Sequence, residues 1–128
     1  MIGYVTLGTN DFPRAVAYYD ALFESIGIKR FMEEENYFVA WSPAPDAPAV
    51  SVTIPFNKEP ATTGNGTMVA LFMETPEKVD AFYNKALELG GIDEGKPGFR
   101  PENADKGFYA GYFRDLDGNK LNAFCMVE

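Results

Sequence analysis

Apolar positions along the chain alternate, then cycle with a helical period, then alternate again, and the whole sequence of patterns occurs twice. Tyr4-Val5-Thr6-Leu7 alternates with the period of a strand, and Asn10-Asp11 offers an N-cap just ahead of Pro13. From Arg14 to Ile26 the apolar residues Ala15, Tyr18, Tyr19, Leu22, Phe23 and Ile26 recur at three- and four-residue steps. That spacing predicts an amphipathic helix closed by Gly27. Three short strands are expected next, from Lys29 to Met32, Tyr37 to Trp41 and Ala49 to Pro55. A turn-rich segment, Ser42 to Pro48, separates the last two.

A shift of 64 residues brings the second half onto the first: Val5 falls on Val69, Leu7 on Leu71, Tyr19 on Tyr83 and Gly27 on Gly91. Thr75 caps a second helix with Pro76-Glu77-Lys78 in its first turn and Val79, Phe82, Tyr83, Ala86 and Leu89 on its apolar face. After Gly90-Gly91 come a Gly/Pro-rich stretch from Gly95 to Gly107, a strand over Phe108 to Phe113, a turn at Asp115-Leu116-Asp117-Gly118 and a last strand over Lys120 to Val127. The unit is therefore βαβββ, used twice in one domain of 128 residues: modules 1–60 and 65–128, with residues 61–64 as linker.

Period-two arithmetic sorts the strand faces. Val5 and Leu7 oppose Tyr4 and Thr6; Val50 and Val52 oppose Ser51 and Thr53; Val69 and Leu71 oppose Met68, Ala70 and Phe72. In the last strand Leu121, Ala123, Cys125 and Val127 oppose Lys120, Asn122, Phe124 and Met126. One face is apolar and is expected to carry the helices. The other mixes polar, aromatic and small residues, as the lining of a cavity does.

Composition then narrows the chemistry. The chain contains no histidine and one cysteine, Cys125, which excludes His-centred triads, His-based metal sites and an intrachain disulfide. A net charge of −8 argues against nucleic-acid or anionic-membrane partners. No segment reaches the roughly 20 apolar residues of a membrane span, and no basic-then-apolar leader pattern is present, so a cytoplasmic location is expected.

The residues Val5-Thr6-Leu7-Gly8-Thr9-Asn10-Asp11, Gly66-Thr67-Met68-Val69-Ala70-Leu71 and Tyr112 through Leu121, set in a duplicated βαβββ plan, resemble the vicinal oxygen chelate superfamily. That superfamily includes glyoxalase I, bleomycin-resistance proteins and extradiol dioxygenases. The resemblance implies an α+β fold of curled mixed sheets around a cavity, helices outside, and frequent homodimers. It also implies a divalent metal held by four cavity side chains, typically two His and two Glu. Here those positions hold Tyr4, Ser51, Met68 and Asn122, none an ordinary ligand for Zn, Ni, Mn or Fe(II), so no metal and no other cofactor is expected.

Other motifs read plainly. Asp115 to Asn119 resembles the start of a calcium loop but has Lys120 in place of the required Gly and Met126 in place of the bidentate Glu. Glu33-Glu34-Glu35 reads as a solvated loop, and Arg114 as an ion-pair partner of Asp115 or Asp117. Arg100 is the cation placed to meet an anionic group at the cavity rim. Tyr4 is the one candidate acid–base group, and Cys125 an inert core thiol. The expected function is binding of a small neutral or aromatic compound by Tyr4, Ser51, Thr53, Met68, Asn122 and Arg100. The alternatives are a metal-independent or degenerate glyoxalase-like lyase or isomerase, and a structural dimerisation domain.

Overall fold

A computed structural model describes residues 1–128. Ten elements follow one another: β1 (Tyr4–Gly8), α1 (Phe12–Glu24), β2 (Lys29–Glu34), β3 (Phe38–Ser42), β4 (Ala49–Thr53), β5 (Val69–Phe72), α2 (Pro76–Glu88), β6 (Ile92–Phe99), β7 (Gly107–Arg114) and β8 (Lys120–Val127). The chain forms two compact units, Met1–Gly64 and Asn65–Glu128. Each holds one helix and one four-stranded mixed sheet, in the orders β1-β4-β3-β2 and β5-β8-β7-β6. This is the α+β architecture of two βαβββ modules. The 64-residue shift carries α1 onto α2 residue for residue, and fails only beyond β6, where the second unit has the longer strands.

Local chemistry sets the helix ends. The Asp11 carboxylate accepts a hydrogen bond from the Arg14 backbone N–H at 3.2 Å, and the Thr75 hydroxyl accepts one from the Lys78 N–H at 3.2 Å. Each satisfies an amide that the first turn leaves unpaired, and each is followed by a proline, whose missing donor costs nothing there. The first helix ends at Ser25, with Gly27 two residues beyond at φ +76°, a backbone angle that favours glycine.

In the first unit the helix-facing side of the sheet carries Val39, Trp41, Val50 and Val52, all buried. Trp41 packs against Tyr19 and Phe23 of α1, with both ring centroids 5.7 Å away. Its indole N–H donates to Asp20 at 2.9 Å, and Asp20 also takes a two-pronged contact from Arg30. That guanidinium holds the Asp20 carboxyl below the usual carboxylate range. In the second unit Phe82 of α2 meets Phe113 of β7 at 6.1 Å, above buried Leu121, Ala123 and Cys125. Fully burying one such large side chain contributes roughly 1.5–3 kcal/mol. Burial pushes the Cys125 thiol up, which suits a core thiol.

Three expectations need correction. Glu33 and Glu34 belong to β2 rather than to a loop: past a bulge between Arg30 and Met32 they pair with Val39 and Phe38, and Glu33 ion-pairs Arg30 at 2.6 Å. Ile92–Phe99 forms an edge strand although the stretch from Gly95 reads as a loop; two bulges and the edge position accommodate its glycines and Pro97. Arg114 pairs with Glu94 at 2.8 Å and with the Gly118 carbonyl at 3.0 Å rather than with Asp115 or Asp117. Asp115 instead organises its own turn by accepting from the Asp117 and Asn119 N–H groups, each at 2.9 Å.

Candidate functional site

The sheet faces turned away from the helices hold the candidate residues, and strand register places them. In the first unit Tyr4, Thr6, Ser51, Thr53, Phe38 and Ala40 share that open face, because Thr6 lies opposite Ser51 and Ser51 opposite Ala40. Tyr4 is 64% exposed. Ser51 is fully buried and its hydroxyl donates to the Val5 carbonyl at 2.7 Å, a bond that stitches β4 to its parallel neighbour. The Thr53 hydroxyl donates to the Ile54 carbonyl at 2.9 Å. At this end of the face a recess of about 520 Å³ is lined by Thr6, Thr53, Tyr37 and Phe56. A larger recess, about 690 Å³, lies on the helix side between α1 and β2, away from all the expected residues.

In the second unit the open face is laid out in rows. Ala70, Asn122 and Tyr112 form one row across β5, β8 and β7; Phe72, Phe124 and Ala110 form the next; Met126 and Phe108 form the third. Phe124 is the hub of an aromatic group, 5.9 Å from Phe72 and 5.5 Å from Phe108. Phe72 is 65% exposed, although large apolar side chains ordinarily hide. Asn122 is 1% exposed and its side-chain oxygen has no hydrogen-bond partner. Such an atom carries a desolvation cost of about 1–3 kcal/mol until something donates to it. Met68 stands exposed just before β5, outside the ladder.

Arg100 follows β6 directly. Its guanidinium lies over the Tyr112 ring, 5.6 Å from the centroid, and is held by the Phe99 carbonyl at 3.2 Å and the Lys96 carbonyl at 2.9 Å. Lys120 sits over the same ring at 5.7 Å. Sequence reading singled out Arg100 and passed over Tyr112 and Lys120. Lys120 could have been found, since it shares the period-two face of Asn122; Tyr112 could not, because a bulged neighbouring strand leaves its facing open.

The four positions at which a metal would be expected do not suit one. They offer an exposed phenol, a hydroxyl committed to a backbone carbonyl, a thioether and a carboxamide, with no imidazole or carboxylate among them. The open face of the second unit offers apolar contact, ring faces, one unpartnered acceptor and two cations. It has no paired base and nucleophile.

Comparison with known proteins agrees with this architecture. Residues 1–123 match the family model described as the Glyoxalase/Bleomycin resistance protein/Dioxygenase superfamily. The chain is 34% identical to a glyoxalase/bleomycin resistance protein from Albidiferax ferrireducens, with 98% of each chain covered and a TM-score of 0.84. A hypothetical protein from S. aureus is 24% identical over 98% of this chain and 92% of its own, with a TM-score of 0.71. A lactoylglutathione lyase from Agrobacterium tumefaciens shares the fold at 18% identity and a TM-score of 0.68, with 98% of this chain and 92% of that one covered. No curated protein matches the chain closely enough to lend it an activity. With duplicated βαβββ units and a family match over nearly its whole length, the chain belongs to the glyoxalase/bleomycin resistance protein/dioxygenase superfamily.

Proposed function

We propose that this protein binds a small neutral or aromatic compound against the open sheet faces, without a resident metal. The observation that supports the reading most is the juxtaposition in the second unit: a part-exposed group of Phe72, Phe124 and Phe108 next to the buried, unpartnered oxygen of Asn122. Aromatic rings left facing outward gain by covering, and a buried acceptor gains from a donor. A flat compound bearing an N–H or O–H satisfies both. The reading also includes a homodimer, which would shield exposed apolar side chains such as Tyr4, Phe72 and Met126. No helix is long and apolar enough to cross a membrane.

Amide-resolved NMR titration with small aromatic compounds tests the proposal. Saturable shifts grouped at Ala70, Phe72, Ala110, Asn122 and Phe124 are expected. Shifts confined to the helices, or absent throughout the panel, overturn it.

A further inference from the structure

The open face of the second unit changes character along its strands. At one end Lys120 and Arg100 both approach the Tyr112 ring; in the middle stand Asn122, Ala70 and Ala110; at the other end stand Phe72, Phe124 and Phe108. Phe124 lies four positions after Lys120 on β8, a distance of roughly 13 Å along an extended strand. A face that is cationic at one end and aromatic at the other presents the outline of an amphipathic ligand.

The two cations are built in rather than incidental. Arg100 is fixed by two backbone carbonyls and by close approach to two glycines: a Cβ added at Gly98 would lie 3.2 Å from a terminal nitrogen of Arg100, and one at Gly95 would lie 3.5 Å from the other. Those carbonyls use two of its five N–H donors, which leaves three for another acceptor. Neither Arg100 nor Lys120 pairs with a carboxylate, whereas Arg30 and Arg114 are both paired in a chain with 19 acidic residues. Two like charges directed at one ring repel each other, and the π-face compensates only in part. Arg100 reaches Tyr112 from the β6 side and Lys120 from the β8 side, so an anion at this end of the face meets uncommitted N–H donors and makes charge-assisted hydrogen bonds.

We infer that this face selects an aromatic carboxylic acid, its carboxylate held by Arg100 and Lys120 beside Tyr112 and its ring laid against Phe72 and Phe124. The inference rests on the ligand-binding reading above and gives that ligand a charge. It makes Arg100 and Lys120 the residues that discriminate acids from neutral compounds of the same shape.

The test is an NMR titration of the intact protein with 4-phenylbutyrate and, separately, with the uncharged 4-phenylbutanamide. The acid is expected to bind at least tenfold more tightly. Lys120→Met and Arg100→Gln are each expected to weaken the acid at least fivefold and the amide by less than twofold. The comparison of the two probes on the unmodified chain stands even if a variant fails to fold. Equal affinity for acid and amide, or folded variants that bind the acid unchanged, overturns the inference and leaves the neutral-ligand reading intact. Binding of neither probe to this face overturns the inference together with the reading beneath it.

Discussion

The Tyr109 hydroxyl donates a 2.7 Å hydrogen bond to the Asp80 carboxylate, tying β7 to the helix that covers it. Tyr83 of α2 makes the reciprocal bond to Asp93 of β6 at 2.6 Å. Burial first, and the carboxylate acceptor second, push both phenols up to about 12. A raised phenol favours the protonated form in the folded state. The corresponding stability is therefore complete below pH 10 and is lost as pH rises from 10 toward 12. Urea unfolding across pH 8–12 is expected to show this decline, and the Tyr83→Phe/Tyr109→Phe double variant to flatten it. At neutral pH, Tyr109→Phe alone is expected to cost about 1.5–3 kcal/mol, as for lost hydrogen bonds to charged groups.

Gly111→Ala tests how tightly β6, β7 and α2 pack. An added Cβ would lie 2.9 Å from Pro97 Cγ and 3.3 Å from Tyr83 Cδ2, on the helix side of the sheet. Ring and aromatic side chain both have to move, so a loss of about 1–3 kcal/mol is expected from chemical denaturation. Gly3→Ala, with nothing within 4 Å, serves as the near-neutral control.

Much of this architecture is legible in the residues because the determining interactions are local. Asp11 and Thr75 lie three residues from the amides they cap, so helix starts can be read from a handful of positions. Alternation similarly sorts Val50 and Val52 from Ser51, and Ala123 and Cys125 from Asn122. What escaped reading depends on partners distant in sequence. Gly95, Pro97 and Gly98 look like a loop by propensity, yet ladder pairing with β7 makes them strand. Arg114 prefers Glu94, 20 residues away, to its two acidic neighbours because the bulged β6 brings that carboxylate alongside. In the candidate site, Ser51 and Asn122 look alike as small polar residues on an inner face. Only the folded chain separates a hydroxyl bonded to Val5 from a carboxamide oxygen with no partner.

Asn122→Leu should separate folding from recognition. Removing a buried acceptor with no donor is expected to leave the unliganded protein equally stable or to raise its stability by about 1 kcal/mol, measured by thermal or urea unfolding. Binding of aromatic compounds that carry an N–H or O–H is expected to weaken several-fold in the same variant. A large loss of stability would mean that the oxygen is satisfied in solution by a structural water.

Elemental analysis after exhaustive dialysis is expected to find far less than one Zn, Ni, Mn or Fe per chain. Adding those ions is expected to leave the unfolding temperature unchanged, since a ligand that binds the native state must raise it. Stoichiometric retention of any of them would show that the donors at Tyr4, Ser51, Met68 and Asn122 are not the relevant set.

Light scattering at tens of micromolar protein is expected to give twice the 14.2 kDa chain mass. The monomer mass would mean that Tyr4, Phe72 and Met126 remain open to solvent.

In each unit the strand that opens the module lies parallel to the strand that closes it: five residue pairs join β1 to β4, and four join β5 to β8. Tension applied through the two ends of a unit therefore draws these neighbours along their own axes in opposite senses. All the ladder bonds between them are loaded at once, in shear, whereas an antiparallel hairpin such as β7–β8 would peel one bond at a time from its open end. The topology that places the helix between the first two strands thus also gives each unit a mechanical clamp at its termini, where a pulling machine would first take hold.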